Sequence, residues 1–185
     1  MSEIIPRSFY SRRVIEVAPD LVGMWLVRQI NGARQQVQIV ETEAYEQSEP
    51  ACHAHRGQTS RNIVMFGCAG YAYVYFVYGM HYCFNIVTDK ENTASAVLIR
   101  AVAFRDHARL GAGPAKACKA LSIDKTLNGI DVTNPQGGLW LEVGEFPPLT
   151  QTTRIGITKG VDLPWRWYWQ GHQSVSKTSR DLDKK

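Results

Sequence analysis

No apolar run in this chain approaches the roughly 20 residues that a membrane-crossing helix needs. Its first residues, Met1-Ser2-Glu3-Ile4-Ile5-Pro6-Arg7, hold no apolar signal core. Both absences predict a cytoplasmic protein with no membrane partner. Cysteine is scarce too. Cys52, Cys68, Cys83 and Cys118 include no Cys-x-x-Cys pair, so neither a disulfide framework nor a zinc finger is indicated. They read as reduced, mostly buried thiols. There is no internal repeat and no linker. Charge is nearly balanced, with a net of +4, which is compatible with a polyanionic partner without requiring one. What remains is ample for a core: 185 residues, 44% of them hydrophobic, fit a single domain over 1–185.

Phe9 to Val17 reads as a short helix with Ser8 as N-cap, and a second short helix follows Pro19-Asp20. Met24 to Ile30 reads as a strand, Asn31-Gly32 as a hairpin turn, and Arg34 to Tyr45 as the return strand. Glu46 to Ser60 is a polar loop, and Arg61 to Phe66 a helical turn. Tyr71 to Tyr78 and His81 to Thr88 form an aromatic hairpin broken at Gly79. Ala94 to Phe104 continues the sheet, and Gly113-Pro114 opens a helix over Ala115 to Leu121. Leu139 to Val143, Arg154 to Thr158 and Trp165 to Trp169 complete the predicted strands. The charged tail from Lys177 is expected to fray. Hairpins dominate, which predicts an α+β fold with a curled, mostly antiparallel sheet, short flanking helices and a protruding hairpin.

Two stretches carry chemistry. In the first, strict alternation puts Val37, Ile39, Glu41, Glu43 and Tyr45 on one face. A face that begins as core and ends in two carboxylates and a phenol describes a strand running from the core into a cleft. In the second, Tyr71, Tyr73 and Tyr75 share a face, while Tyr78 stands on the other parity beside Gly79-Met80 at the hairpin tip. A tip has no core to enter, and a large tip residue is the type of wedge that unstacks bases. Gly70-Tyr71-Ala72-Tyr73-Val74-Tyr75-Phe76 approaches an RNA-recognition motif. It lacks the basic residue before the glycine and any second motif.

The ordered set Ile39-Val40-Glu41-Thr42-Glu43-Ala44-Tyr45, Arg61-Asn62-Ile63-Val64-Met65-Phe66 and Tyr73-Val74-Tyr75-Phe76-Val77-Tyr78-Gly79-Met80-His81-Tyr82-Cys83-Phe84-Asn85 resembles the alkyladenine (3-methyladenine) DNA glycosylase family. Val97-Leu98-Ile99-Arg100-Ala101, Gly113-Pro114-Ala115-Lys116, Arg154-Ile155-Gly156-Ile157 and Pro164-Trp165-Arg166 continue it in order, from about Phe9 to Ser176. The resemblance implies a monomeric, monofunctional hydrolase with no cofactor and no metal. Such an enzyme flips a damaged purine out of double-stranded DNA and cuts its N-glycosidic bond. It implies that Glu43 activates the attacking water, helped by Arg100 and the carbonyl of Ile155. Tyr45, His53, Tyr75 and Asn85 would line the base pocket, with Asn85 excluding guanine, and Tyr78, with Met80 next to it, would enter the duplex. Two departures stand out. The segment between Arg100 and Gly113 is short for the family, and His53 aligns only with a small gap, leaving His55 as an alternative.

Arg56, Arg61 and Lys116 are candidate phosphate contacts. Two further readings use the same residues. Glu41 and Glu43, about 7 Å apart on a strand, suit an inverting glycoside hydrolase. The tyrosine sheet alone suits a non-catalytic nucleic-acid binder. Cys52, His53 and His55 are too closely spaced for a metal site.

Overall fold

The computed structural model describes residues 3–77 and 79–176. Tyr78 and the tail from Lys177 lie outside the described residues. The sheet starts from the predicted turn. Asn31 and Gly32 have φ of 49° and 82°, as a type I′ hairpin requires. The turn folds β1 (Trp25–Ile30) onto β2 (Ala33–Glu46), with Leu26 opposite Val37. The other strands are β3 (Ala72–Val77), β4 (His81–Val87), β5 (Ser95–Ala103), β6 (Leu139–Glu142), β7 (Leu149–Thr152) and β8 (Arg166–Trp169). They run in the order β3-β4-β5-β2-β1-β6, with β8 on β2 and β7 on β8. All of these pairings are antiparallel, giving a curled sheet in an α+β fold.

β2 organises the rest because it is fourteen residues long. β1 pairs with its first half, β8 with Glu41, Thr42 and Glu43, and β5 with its second half. One face of the sheet takes the main core. There α2 (Val14–Asp20) and α3 (Pro114–Ala120) bring Val17, Leu21, Ala117 and Leu121 against Ile39, Ala44, Ile86 and Ile99. The opposite face gathers a smaller cluster around Met65, Tyr73 and Ala96, with Tyr45, Tyr71 and Tyr75 at its margin.

The expected single face through Val37, Ile39, Glu41, Glu43 and Tyr45 is not formed. Ile39 pairs with Val102 and Thr42 with Ile99, but between them Glu41 pairs with Ala101, so Val40 and Arg100 are each an extra residue in their strands. This matched irregularity, a paired form of β-bulge, leaves the overall register unchanged and reverses the alternation. Val37 and Ile39 face the main core before it. After it, Ala44 faces that core, and Thr42 donates its hydroxyl to Ala18 of α2 at 2.8 Å. Glu43 and Tyr45 thereby turn to the other side.

Three other expectations change. The helix predicted over Phe9–Val17 is two helices, α1 (Arg7–Tyr10) and α2, with Pro6 rather than Ser8 at the first N-cap. The chain breaks at Ser11–Arg13 because the Tyr10 and Arg12 carbonyls both accept from the Asp89 amide. Pro19 lies inside α2, so no helix follows it. Arg154–Thr158 is irregular, bent through Gly156 at φ 75°, and the adjacent strand is instead β7. Its alternating half-exposed Leu-Thr-Gln-Thr carries no apolar pattern to announce it.

The short segment after β5 closes back as turns, with the Val102 amide donating to the Gly111 carbonyl at 3.0 Å. A Cβ at Gly111 would lie 2.4 Å from the Val102 oxygen. Gly111→Ala is therefore expected to destabilise the protein by about 1–3 kcal/mol, the usual range for overpacking. Urea denaturation checks this, and an unchanged midpoint would show that the turn moves freely.

Candidate active site

A cavity of about 750 Å³ opens on the face of the sheet opposite the main core, lined among others by Glu43, Tyr45, His53, Tyr75, Asn85 and Arg100. Each side chain arrives by a traceable route. Glu43 and Tyr45 come from β2 after the irregularity. Leu98 stands opposite both Glu43 and Asn85, and Asn85 opposite Tyr73, so one row crosses β2, β5, β4 and β3. Tyr75 and Cys83 form the next row out.

The floor is electrostatic. Solvent reaches none of Glu43. Its Oε1 accepts from the Ile155 amide at 2.8 Å and lies 3.5 Å from Nη1 of Arg100, and its Oε2 accepts from the Tyr45 hydroxyl at 2.8 Å. Burial raises the Glu43 pKa. Arg100, the Ile155 amide and the Tyr45 hydroxyl oppose that shift, and the neighbouring Glu41 adds to it. Burial, and then the Glu43 charge, push the Tyr45 pKa far upward, so its hydroxyl remains a donor.

Glu41 has a different setting. It does not line the cavity. Its carboxylate accepts from Arg100 Nε at 3.1 Å, Arg166 Nη1 at 2.8 Å and the Ser176 amide and hydroxyl at 2.8 and 2.9 Å. Arg100 is thus shared: one guanidinium bridges a fully enclosed structural carboxylate and the carboxylate at the cavity floor. The acid–base pair expected of a glycoside hydrolase would need both carboxylates on one substrate, and here only Glu43 meets the cavity.

The walls are aromatic. The His53 ring packs edge-on to Tyr75 at 4.5 Å between centroids, and its Nδ1 lies 3.1 Å from the Tyr73 hydroxyl. Although much of the residue is open to solvent, this packing lowers the His53 pKa, and Arg61 lowers it further. The shift favours the neutral ring. His55 is exposed on the loop, turned to the Gln47 carbonyl, so His53 is the histidine in the cavity wall. Asn85 is buried, and its amide donates to the Tyr73 carbonyl at 3.0 Å. Tyr73 is only 1% exposed. Tyr73 and Tyr75 therefore wall a cavity and do not form the open platform that a non-catalytic binder would use.

The remaining predicted residues lie around the mouth. Arg61 lines it, 5.5 Å over the Tyr75 ring. Met80 is 71% exposed at the hairpin tip, and Phe76, which lines the cavity, is exposed on β3 opposite Tyr82. Arg56 and Lys116 are exposed outside the cavity, and the expected wedge Tyr78 lies outside the described residues. Among the described residues no three His, Cys, Asp or Glu side chains converge as metal ligands. All four cysteines are unpaired, and burial pushes the Cys52 thiol up to about 11. Lys159 also lines the cavity, and the sequence alone assigns no role to it, to Glu49 or to Arg166. Arg166 sits among alternating tryptophans, and the other two sit in polar loops where a charge looks solvated.

A concave, aromatic-walled pocket with a few convergent polar groups, in the usual size range for ligand sites, marks an enzyme site. The sequence pattern of the methylpurine-DNA glycosylase family matches residues 8–173. A protein of Carboxydothermus hydrogenoformans assigned by name as a 3-methyladenine DNA glycosylase is 48% identical over 192 residues, covering 94% of this chain and 99% of its own. Proteins assigned the same name are 51% identical in Synechococcus sp. strain JA-3-3Ab (86% of this chain, 92% of the relative) and 44% identical in Methanocella arvoryzae (94% and 96%). The chain belongs to the methylpurine-DNA glycosylase family. It is a DNA-binding enzyme of base-excision repair.

The two carboxylates should respond oppositely to neutralisation. A raised pKa means that the Glu43 contribution to stability is full below the ordinary glutamate value of about 4.3 and is lost as pH rises through its folded value. Glu43→Gln should therefore stabilise the protein at about pH 8, with a smaller gain at about pH 5. Glu41→Gln should cost about 3–5 kcal/mol, because it leaves enclosed guanidinium charge without its partner. Urea denaturation at both pH values measures this. A Glu43→Gln variant weaker than the parent at the higher pH would mean that the three donors outweigh burial.

Proposed function

We propose that the enzyme removes alkylated purines of the 3-methyladenine type from duplex DNA by hydrolysis, with Glu43 as the group that activates water. The observation that carries this reading is the Glu43 carboxylate at the floor of an aromatic-walled cavity, held by Arg100, the Ile155 amide and the Tyr45 hydroxyl. A base inside a duplex is out of reach of such a floor, so the nucleotide is extruded, at a cost of a few kcal/mol that poorly paired lesions reduce. The cavity then receives the base among the rings of Tyr45, His53 and Tyr75. Alkylation at N3 or N7 makes the purine cationic, and the electron-rich tyrosine faces favour such a ring by about 0.5–2 kcal/mol per contact.

The chemistry follows from the floor. As the bond from C1′ to the purine nitrogen breaks, the bonding electrons leave with the base and neutralise its charge. The sugar gains oxocarbenium character, which the Glu43 charge stabilises. Water adds its oxygen to C1′ and gives a proton to Glu43. Each carboxylate oxygen has two lone pairs. Oε2 accepts from Tyr45 alone, so it keeps one for the proton. The Ile155 backbone helps to place the water, and its amide also fixes the carboxylate. No lysine attack is involved, so the enzyme is monofunctional and leaves an abasic site. Asn85, on the cavity face, crowds the exocyclic amino group of guanine. Met80 and the hairpin tip meet the duplex together with Tyr78, and Arg56, Arg61 and Lys116 meet its phosphates. The enzyme acts as a monomer.

Glu43→Gln is expected to bind methylated duplex normally and to lose excision, with release of 3-methyladenine as the measurement. Excision above a few per cent of the parent would remove Glu43 from the mechanism. Asn85→Ala should raise the rate of guanine release relative to 3-methyladenine by roughly tenfold, the scale of one lost steric contact. An unchanged ratio would leave Asn85 as a strand residue bonded to the Tyr73 carbonyl and nothing more.

A further inference from the structure

Arg154 is the most completely enclosed cation of the described residues, with a side-chain exposure of 0%. It makes a two-pronged pair with Glu49, at 2.7 and 2.9 Å, and donates to the Ala44 and Gly160 carbonyls at 2.9 and 3.1 Å. Its guanidinium lies 4.6 Å over the Tyr45 ring and 5.5 Å over the Trp165 ring. It does not line the cavity, whereas Tyr45 does, so it backs the tyrosine from inside the protein. Glu49 in turn accepts from the Ala51 amide in the loop that carries His53. A buried pair of this type is a poor source of net stability, which leaves its geometry to be explained.

That geometry converges on Glu43. Two of its three donors are the Tyr45 hydroxyl and the Ile155 amide. The first belongs to the ring stacked on Arg154, and the second to the residue next to Arg154 in the chain. We propose that Arg154 is a positioning residue of the active site, which through its pair with Glu49 and its stack on Tyr45 holds both donors against Glu43. This rests on the reading of Glu43 as the water-activating group. Arg154 never touches substrate. It fixes how strongly the carboxylate holds its charge and where its free lone pair points. The other charged or titratable groups around Glu43 are Arg100 from β5, Glu41 and Tyr45 from β2, Tyr75 and Cys83 from the β3–β4 hairpin, and Arg166 from β8. Lys159 lines the same cavity from the Ile155 segment, and His53 and Arg61 line it from the chain before β3.

Two variants test this. Arg154→Lys keeps the charge and loses the planar fork. Gly160→Ala keeps both residues of the pair and presses on them, since its Cβ would lie 3.0 Å from Arg154 Nη2 and from Glu49 Oε2. Urea denaturation gives the folded fraction of each. Carbon-13 NMR of labelled glutamate follows the Glu43 titration, with the signal identified by its loss in Glu43→Gln, and single-turnover excision of 3-methyladenine is measured across pH. In both variants the Glu43 titration and the acid limb of excision should move to higher pH. The rate at neutral pH should fall by about ten- to hundredfold, the scale of a misplaced catalytic group, and recover in part at alkaline pH. A folded variant with an unchanged Glu43 titration overturns the proposal, as does a rate loss no larger than the loss of folded protein. If the parent enzyme releases no 3-methyladenine, the proposed function fails instead, and the titration still decides the role of Arg154.

Discussion

Everything at this site depends on the cost of placing two carboxylates, two residues apart, where solvent reaches neither. Burial without partners penalises the charged form of a carboxylate. The fold meets that cost with different partners for each. Glu41 is surrounded by two guanidiniums and the Ser176 amide and hydroxyl. Glu43 has one distant guanidinium, one amide and one phenol. The first is a structural carboxylate that anchors Arg100 and Arg166. The second remains a group whose proton can come and go. Arg100 reaches both because it is the extra residue of β5 at that level.

The same arrangement explains what could be read in advance. The type I′ turn, the aromatic hairpin and the proline-led helix were legible because each rests on local chemistry: positive φ at Asn31-Gly32, alternation in β3, and proline at the first turn of α3. Glu43, Tyr45, Tyr75 and Asn85 were legible as a set through the family resemblance. Their common face was not. A strand irregularity leaves no mark in Val40 or Arg100 themselves, so strict alternation carried the reading past it and assigned Glu43 to the face of Ile39. The loop from Thr153 to Gly160 was misread for a related reason. Ile155 and Ile157 flank Gly156 in a strand-like alternation, but what shapes the segment is the tie from Arg154 to Glu49, far away in sequence.

The pocket divides its tasks between two kinds of matter. Its walls are rings, tolerant of any flat heterocycle, and its floor is a small set of polar groups with fixed directions. Tyr45 belongs to both, presenting a ring to the cavity and a hydroxyl to Glu43. Recognition of the base and readiness of the carboxylate therefore meet in one side chain.

The paired irregularity in β2 and β5 has a further consequence for how the chain can change. Because Val40 and Arg100 are surplus at the same level, the pairings above and below stay in phase. Removing or adding one residue in a single strand would break that phase and slide one wall of the cavity past the other. A change of length in one strand is tolerable only with its counterpart in the other. The two segments, far apart along the sequence, are thus bound to a common count, and the site constrains the spacing of its neighbours as firmly as their identity.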